Sequence, residues 1–272
     1  MLDISRDKVP TFETLLAIVD RLAEWKVNHL ELYAEHTFAY PGHAVVWRDA
    51  SAMSAEEIEQ LDQYCARRHI ELVPNQNCLG HMARWLQHPP YAGLAMAPEG
   101  YVMLGLQRPP STIEPTDPAS LELVRGLLGE LVPHFRHARF VNVGLDEPWE
   151  MPADRIDDYL EWVRTLRALP EIDGLELLVW GDILAGEPQR IRALPNGVTV
   201  CEWGYDAGHP FEARARVYEE CGRLFWTAPG TSSWLTILGR ITNMRANCAE
   251  AVAAAVAHGG IGMLNTDWGD QG

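Results

Sequence analysis

The sequence predicts an α/β protein of the (β/α)8 TIM-barrel class, on three observations. Short apolar runs alternate with amphipathic helical stretches along the whole chain, the alternation reaches an eighth apolar run, and polar or aromatic residues recur where those runs end. A doubly wound parallel sheet is the rival, but no glycine-rich phosphate fingerprint follows the first run.

The first strand is read in "MLDIS" (1–5), followed by a helix over "TFETLLAIVDRLAEW" (11–25). There Leu15, Ile18, Val19 and Leu22 share one face and Thr11 is placed as N-cap. "HLELYAE" (29–35) is the second strand, and "SAEEIEQLDQYCARRH" (54–69) a helix opening on a capping box. "IELVPNQ" (70–76) is the third strand. The Pro- and Gly-rich segment 82–115 is too long for an ordinary connection, which predicts a βα loop folded over the barrel mouth.

A helix over "DPASLELVRGLLGELVPHF" (117–135) leads to the fourth strand, "RFVNVGLDE", and a helix over 153–169. The fifth, sixth and seventh strands are read in "LELLVWGDIL" (175–184), "GVTVCEWGYD" (197–206) and "RLFWTAPGTSSW" (223–234). Each is followed by a helical stretch, and "GIGMLNTDWGD" (260–270) is the eighth. One domain over 1–272 is expected. The chain stops just past that strand without a closing helix, the pattern of a barrel excised from a longer protein.

Composition narrows the function. With 38 acidic against 22 basic residues and a formal charge of −16, a nucleic-acid partner is excluded in favour of a neutral or cationic ligand. The five cysteines are odd in number, widely spread and without CxxC or Cys/His ligand spacing, and are read as reduced core thiols. "MLDISRDKVP" has neither a basic n-region nor an apolar h-region, and no apolar run is long enough to span a bilayer. A cytoplasmic protein with no membrane partner is expected, its oligomeric state open. Ten tryptophans offer platforms for the apolar face of a sugar ring, although most should be core.

In such a barrel the C-terminal strand ends converge on one face, where catalysis takes place. Those ends carry Arg6, Glu35, His36, Asn75, Gln76, His81, Asp146, Glu147, Trp180, Asp182, Glu202, Trp203, Tyr205, Thr231, Trp234, Asp267, Trp268 and Asp270. Each has a structural reading beside the functional one. Arg6 can pair with a carboxylate at the rim, His81 can be a satisfied loop histidine, Trp180 and Trp203 can fill the barrel, and Asp182 can cap the turn after Gly181.

Asp146 and Glu147 resist such a reading, because adjacent acids at a strand end repel and lose hydration unless partners compensate. Environments that push their pKa values apart would leave one ionised beside a protonated neighbour, which suits a stabiliser next to a general acid. The structural alternative is Asp146 as N-cap of the helix beginning near Pro152. No HxH, HExxH or paired His/carboxylate spacing calls for a metal, no cofactor motif is present, and "GTSSW" is not a serine-nucleophile elbow.

Taken together, "MLDISRDKVPT", "LGH", "GLDE", "WGDIL", "EWGYD", "PGTSSW" and "LNTDWGD" resemble the catalytic barrel of glycoside hydrolase family 20, the β-N-acetylhexosaminidases. The likeness is nearest to a bacterial subgroup with a G-x-D-E-x-W fourth strand. It implies a carbohydrate substrate and a retaining, substrate-assisted mechanism, an exception to the two-carboxylate scheme. By the resemblance, Asp146 orients the 2-acetamido group and Glu147 is the general acid and base. Arg6 binds ring hydroxyls, Asp270 or Asp267 is the acidic partner near the last strand, and Trp180, Trp203 and Trp268 wall the acetamide. His81, Asp182, Tyr205 and Trp234 complete the expected substrate contacts. The chain departs from the common motif at Asn142, where a histidine is usual, and at Leu145. It also has no tyrosine in "FWTAPGTSSW" to hold the acetamide carbonyl, a place Tyr205 is available to take. Two other readings stand: a retaining glycosidase with Glu202 as nucleophile, and a sugar-binding barrel without activity.

Overall fold

The computed structural model describes residues 1–7 and 9–270. Strand β1 (Leu2–Asp3) is followed by α1 (Phe12–Glu24), β2 (His29–Tyr33), α2 (Ala44–Trp47), α3 (Ala55–Ala66) and β3 (Glu71–Val73). Next come α4 (Ala83–Leu86), a hairpin of β4 (Tyr101–Met103) and β5 (Leu106–Arg108), α5 (Pro118–Leu131) and β6 (Phe140–Asn142). Then α6 (Ile156–Arg167), β7 (Glu176–Trp180), α7 (Pro188–Ala193), β8 (Val198–Trp203), α8 (Phe211–Glu220), β9 (Phe225–Ala228), α9 (Ile241–Ala257) and β10 (Gly262–Met263) complete the order.

Helix starts follow local chemistry. The Thr11 hydroxyl accepts from the Thr14 N–H at 3.3 Å, and Ser54 and Glu57 exchange both bonds of a capping box, at 3.2 and 2.9 Å. Asp117 caps α5, with Pro118 at the first helical position.

The strands form two parallel sheets, β1-β2-β3 and β6-β7-β8-β9-β10, with the hairpin apart. Two isolated parallel bridges join the sheets edge to edge, Asn75 with Asn142 and Leu2 with Asp267. The alternation of strand side chains divides the core. Leu177, Val179, Val198, Val200 and Phe225 pack outward in one apolar layer with α3, α5 and α6, whereas Tyr33, Leu178, Trp180, Cys201, Trp226 and Leu264 form a separate inner cluster. Among the described residues no helix is long and apolar enough to cross a membrane.

The segment 82–115 contains α4, a short 3-10 turn and the β4–β5 hairpin. Glu150, just past β6, pins its far end. Its carboxylate accepts from the Ser111 N–H at 2.5 Å and hydroxyl at 3.2 Å, from the Thr112 N–H at 3.3 Å and from the Thr112 hydroxyl. This places the hairpin beside the C-terminal end of β6, in agreement with the loop expected there.

Candidate active site

Strand β6 ends at Asn142, and the chain then leaves extended geometry. Gly144 (φ 71°), Leu145 (φ 73°) and Glu147 (φ 47°) all lie in the left-handed region. This is uncommon for leucine and glutamate and requires support from around the turn. A side chain at Gly144 would strike Asn77 Oδ1, and one at Gly80 would strike the Asp146 carbonyl oxygen. The Gly144 carbonyl accepts from the Trp180 N–H at 3.0 Å, and the Glu147 N–H donates to Asp182 Oδ2 at 2.9 Å.

Two glycines and two strands therefore hold the turn so that both carboxylates reach one cavity. Its lining is Arg6, His81, Asp146, Glu147, Trp203, Tyr205, Trp234, Trp268 and Asp270. Nine residues singled out in the sequence, drawn from both sheets, thus share one wall. Asp146 does not cap a helix: the chain enters α6 through a 3-10 turn at Ala153–Arg155, with Pro152 before it.

His81 joins the two acids. Its Nε2 lies 3.2 Å from Asp146 Oδ2 and 3.4 Å from Glu147 Oε2, and Nδ1 lies 3.9 Å from Glu35 Oε1. Burial disfavours the imidazolium, but the Asp146 charge, the hydrogen bonds to both acids and the Glu35 charge outweigh it, raising its pKa well above 6.5. His81, Asp146 and Glu147 also bring one ligand atom each within 4.8 Å of one another, a proximity hidden in the sequence because His81 comes from the loop after β3. Asp146 Oδ1 is buried and has no hydrogen-bond partner among the described residues.

Arg6 is both a rim ion-pair residue and part of the wall. It meets Asp3 at 3.0 Å, Asp270 at 3.2 Å and Glu35 at 3.3 Å, and its guanidinium lies 4.9 Å from the Tyr33 ring centre and 5.2 Å from that of Trp268. Burial opposes its charge, and the surrounding Tyr33, Glu35, Asp3 and Asp270 more than restore it. Burial raises the Glu35 carboxyl, with Arg6 and His81 pulling the other way.

Two expected contacts stand behind the cavity. Trp180 is 1% exposed and packs against Trp268, with ring centres 6.1 Å apart. Asp182 supports the Glu147 backbone and lies 3.4 Å from Trp203 Nε1. Burial first, and then the Asp146 charge, push its carboxyl up to about 7. Its carboxylate serves the neighbouring turn, not a cap of its own.

Glu202 faces helix α8, where its carboxylate accepts from the Tyr218 hydroxyl at 2.7 Å and lies 3.5 Å from His209. It does not line the cavity, so the two-carboxylate reading loses its nucleophile. Asp3, Tyr33 and Gly80, none of them expected in the site from sequence, shape it from behind. Gly80 is the one with a local signal, as the glycine of "LGH" directly before His81.

Tyr205 stacks on Trp203 and meets Trp234 edge to face, with ring centres 5.2 and 5.1 Å apart. An aromatic wall facing carboxylates and one arginine suits a neutral polyhydroxylated ring, with C–H faces for the aromatics and hydroxyls for the charges. At the opposite ends of the strands a second cavity, lined by His29, Glu71, Arg139, Phe140 and Trp226 among others, holds an ion pair in which Arg139 Nε and Nη2 both donate to Glu71 Oε2. In folds of this kind that face serves stability.

Comparison with known proteins gives the same direction. Residues 1–216 match the glycosyl hydrolase family 20 catalytic domain. Hexosaminidase D of Bos taurus is 28% identical over 211 residues, 71% of this chain and 58% of that protein. The β-N-acetylhexosaminidase of Streptomyces coelicolor superposes with a TM-score of 0.74 at 20% identity, covering 100% of this chain and 58% of that one. The exo-β-N-acetylglucosaminidase of Vibrio harveyi, solved in complex with N-acetylglucosamine, superposes with a TM-score of 0.65 at 18% identity, covering 86% and 41%. The chain thus spans a little over half the length of the first two relatives, and the matched portion takes in β6, its turn and the carboxylate pair. On the extent of that match, the chain belongs to glycosyl hydrolase family 20.

Proposed function

We propose that this chain, as one closed (β/α)8 catalytic domain, removes terminal β-linked N-acetylhexosamine with retention of configuration, using the 2-acetamido group of its own substrate as nucleophile. The observation that carries this reading is the pair Asp146–Glu147 on one turn, facing one cavity and bridged by His81. The bridges between the two sheets support the closed ring. The names of the relatives support the substrate class, and five free thiols suit a reducing compartment such as the cytoplasm.

In the first step the acetamide oxygen attacks the anomeric carbon while the glycosidic C–O bond breaks and Glu147 gives its proton to the departing oxygen. The unpartnered Asp146 Oδ1 accepts the acetamide N–H and stabilises the positive charge that develops on the oxazolinium ring. Glu147, now a carboxylate, takes a proton from water as that water attacks the anomeric carbon and reopens the ring. Arg6 and Asp270 hold ring hydroxyls, and Trp203, Tyr205, Trp234 and Trp268 exclude water from the charge being formed.

A thiazoline mimic of the oxazolinium should inhibit strongly. Glu147→Gln should lower kcat/KM on substrates with poor leaving groups by roughly 10²- to 10⁴-fold while preserving thiazoline binding. Normal turnover by that variant would overturn the assignment. Equal rates on aryl N-acetyl-β-glucosaminide and plain aryl glucoside would remove the acetamide from the mechanism.

A further inference from the structure

Beyond Glu147 the polar cavity gives way to a groove of different chemistry. The groove shares Glu147 and Trp203 with it and adds Pro148, Trp149, Met151, Asp182 and Ile183. Pro148, Met151 and Ile183 continue into a further depression that reaches Ile156 and Arg190. Trp149 is 47% exposed, and its ring stacks on Tyr101 of the β4–β5 hairpin at 6.3 Å and 14° between planes. A half-exposed indole is thereby stacked on a ring from another element.

Polar groups along this wall are few, and several are engaged within the protein. The two Asp182 oxygens take the Glu147 N–H and the Trp203 indole N–H, and one Arg190 nitrogen donates to the Ile183 carbonyl. Dense hydroxyl groups would lose hydration here without replacement partners, whereas an uncharged apolar group would release water from Trp149, Met151 and Ile183.

We infer that this groove is the leaving-group site, and that it selects an apolar aglycone lying across Trp149 rather than a second sugar. The inference rests on the reading of Glu147 as proton donor, since the group bonded to the protonated oxygen must leave on the side where Glu147 stands. It makes Trp149 and Ile183 determinants of specificity and gives the Tyr101 hairpin a positioning role.

The test uses alkyl N-acetyl-β-hexosaminides from methyl to octyl, whose leaving groups differ little in acidity, so that chain length reports contact rather than chemistry. In the wild-type protein kcat/KM should rise at least tenfold from methyl to octyl, and octyl should exceed the N-acetylglucosamine disaccharide. Trp149→Ala and Ile183→Ser should each erase most of that rise while leaving the thiazoline inhibition constant unchanged, which also shows that the variants are folded. A flat alkyl series, preference for the disaccharide, or an equal loss on methyl and octyl in Trp149→Ala would overturn the groove assignment alone. Failure of the thiazoline to inhibit the wild-type protein would overturn the underlying reading, and the groove with it.

Discussion

Asp182 supports the catalytic turn from behind and adds a pH dependence to it. Its carboxyl is raised from 3.8 to about 7 by burial and by the Asp146 charge. Between about pH 4 and 7 the native protein therefore holds a proton that the unfolded chain has lost, and stability falls as pH rises through that window. His81 acts with the same sign. Its folded pKa lies well above 6.5, so its contribution is complete below 6.5 and is lost as pH climbs through the folded value. Asp182→Asn, which cannot ionise, should flatten the decline between pH 4 and 7 in urea unfolding measured across that range. An unchanged slope would show that Asp182 is not the group responsible. The doublet was legible at this scale because two neighbouring acids need a reason, and so was the cavity face of Trp203. The opposite face of Glu202 could also have been read, since it shares parity with Val198 and Val200, which pack outward. The role of His81 was not, because it depends on a distance between residues far apart in the chain.

The turn after β6 is the element on which the site depends. Three of its residues have positive φ, and the two that are not glycine cost roughly 1–3 kcal/mol each, offset by contacts from Gly80, Asp182, Trp180 and the Ser111–Thr112 segment. Gly80→Ala introduces a methyl group against the Asp146 carbonyl oxygen, a backbone atom that cannot swing aside. We expect a loss of about 1–3 kcal/mol in stability. Displacement of both carboxylates should also lower kcat/KM by about 10²-fold. Chemical denaturation and steady-state kinetics test the two effects separately, and a fully active Gly80→Ala protein would show that the turn has room. Elements with a strong period or a cap, such as α1 and α3, were readable from local sequence. The left-handed path through Leu145 and Glu147 was not, because tertiary contacts impose it against local preference, and the hairpin within 82–115 lacks a tight-turn signature such as Asn-Gly.

At the scale of the whole molecule, backbone hydrogen bonds pair Met1 and Asp3 with Asp267 just past β10, and one buried acid, Asp3, adds side-chain bonds across this seam. Asp3 accepts from the Ser5 N–H at 2.8 Å, Arg6 Nη1 at 3.0 Å and the Gly269 N–H at 3.0 Å, while its neighbour Leu2 bridges Asp267. Asp3→Ala leaves Arg6 buried with a weakened set of partners and frees the Gly269 amide. A loss of about 3–5 kcal/mol is expected in urea titrations, against less than about 1 for removal of the exposed Arg21–Glu24 pair. Equal effects would mean that the seam is not held there. The repeated strand–helix alternation made the architecture readable, while the seam was not, since nothing in "MLDIS" announces a partner near residue 269.

That seam also sets an order in time. A ribosome releases Arg6 early, Asp146 and Glu147 midway, and Trp268 and Asp270 only near the end of this stretch, yet all five line the same cavity. The last two of these residues complete the lining beside the acidic pair, and they stand just past Asp267, which bridges Leu2 at the other end of the chain, so the same meeting of distant segments serves both the cavity and the seam.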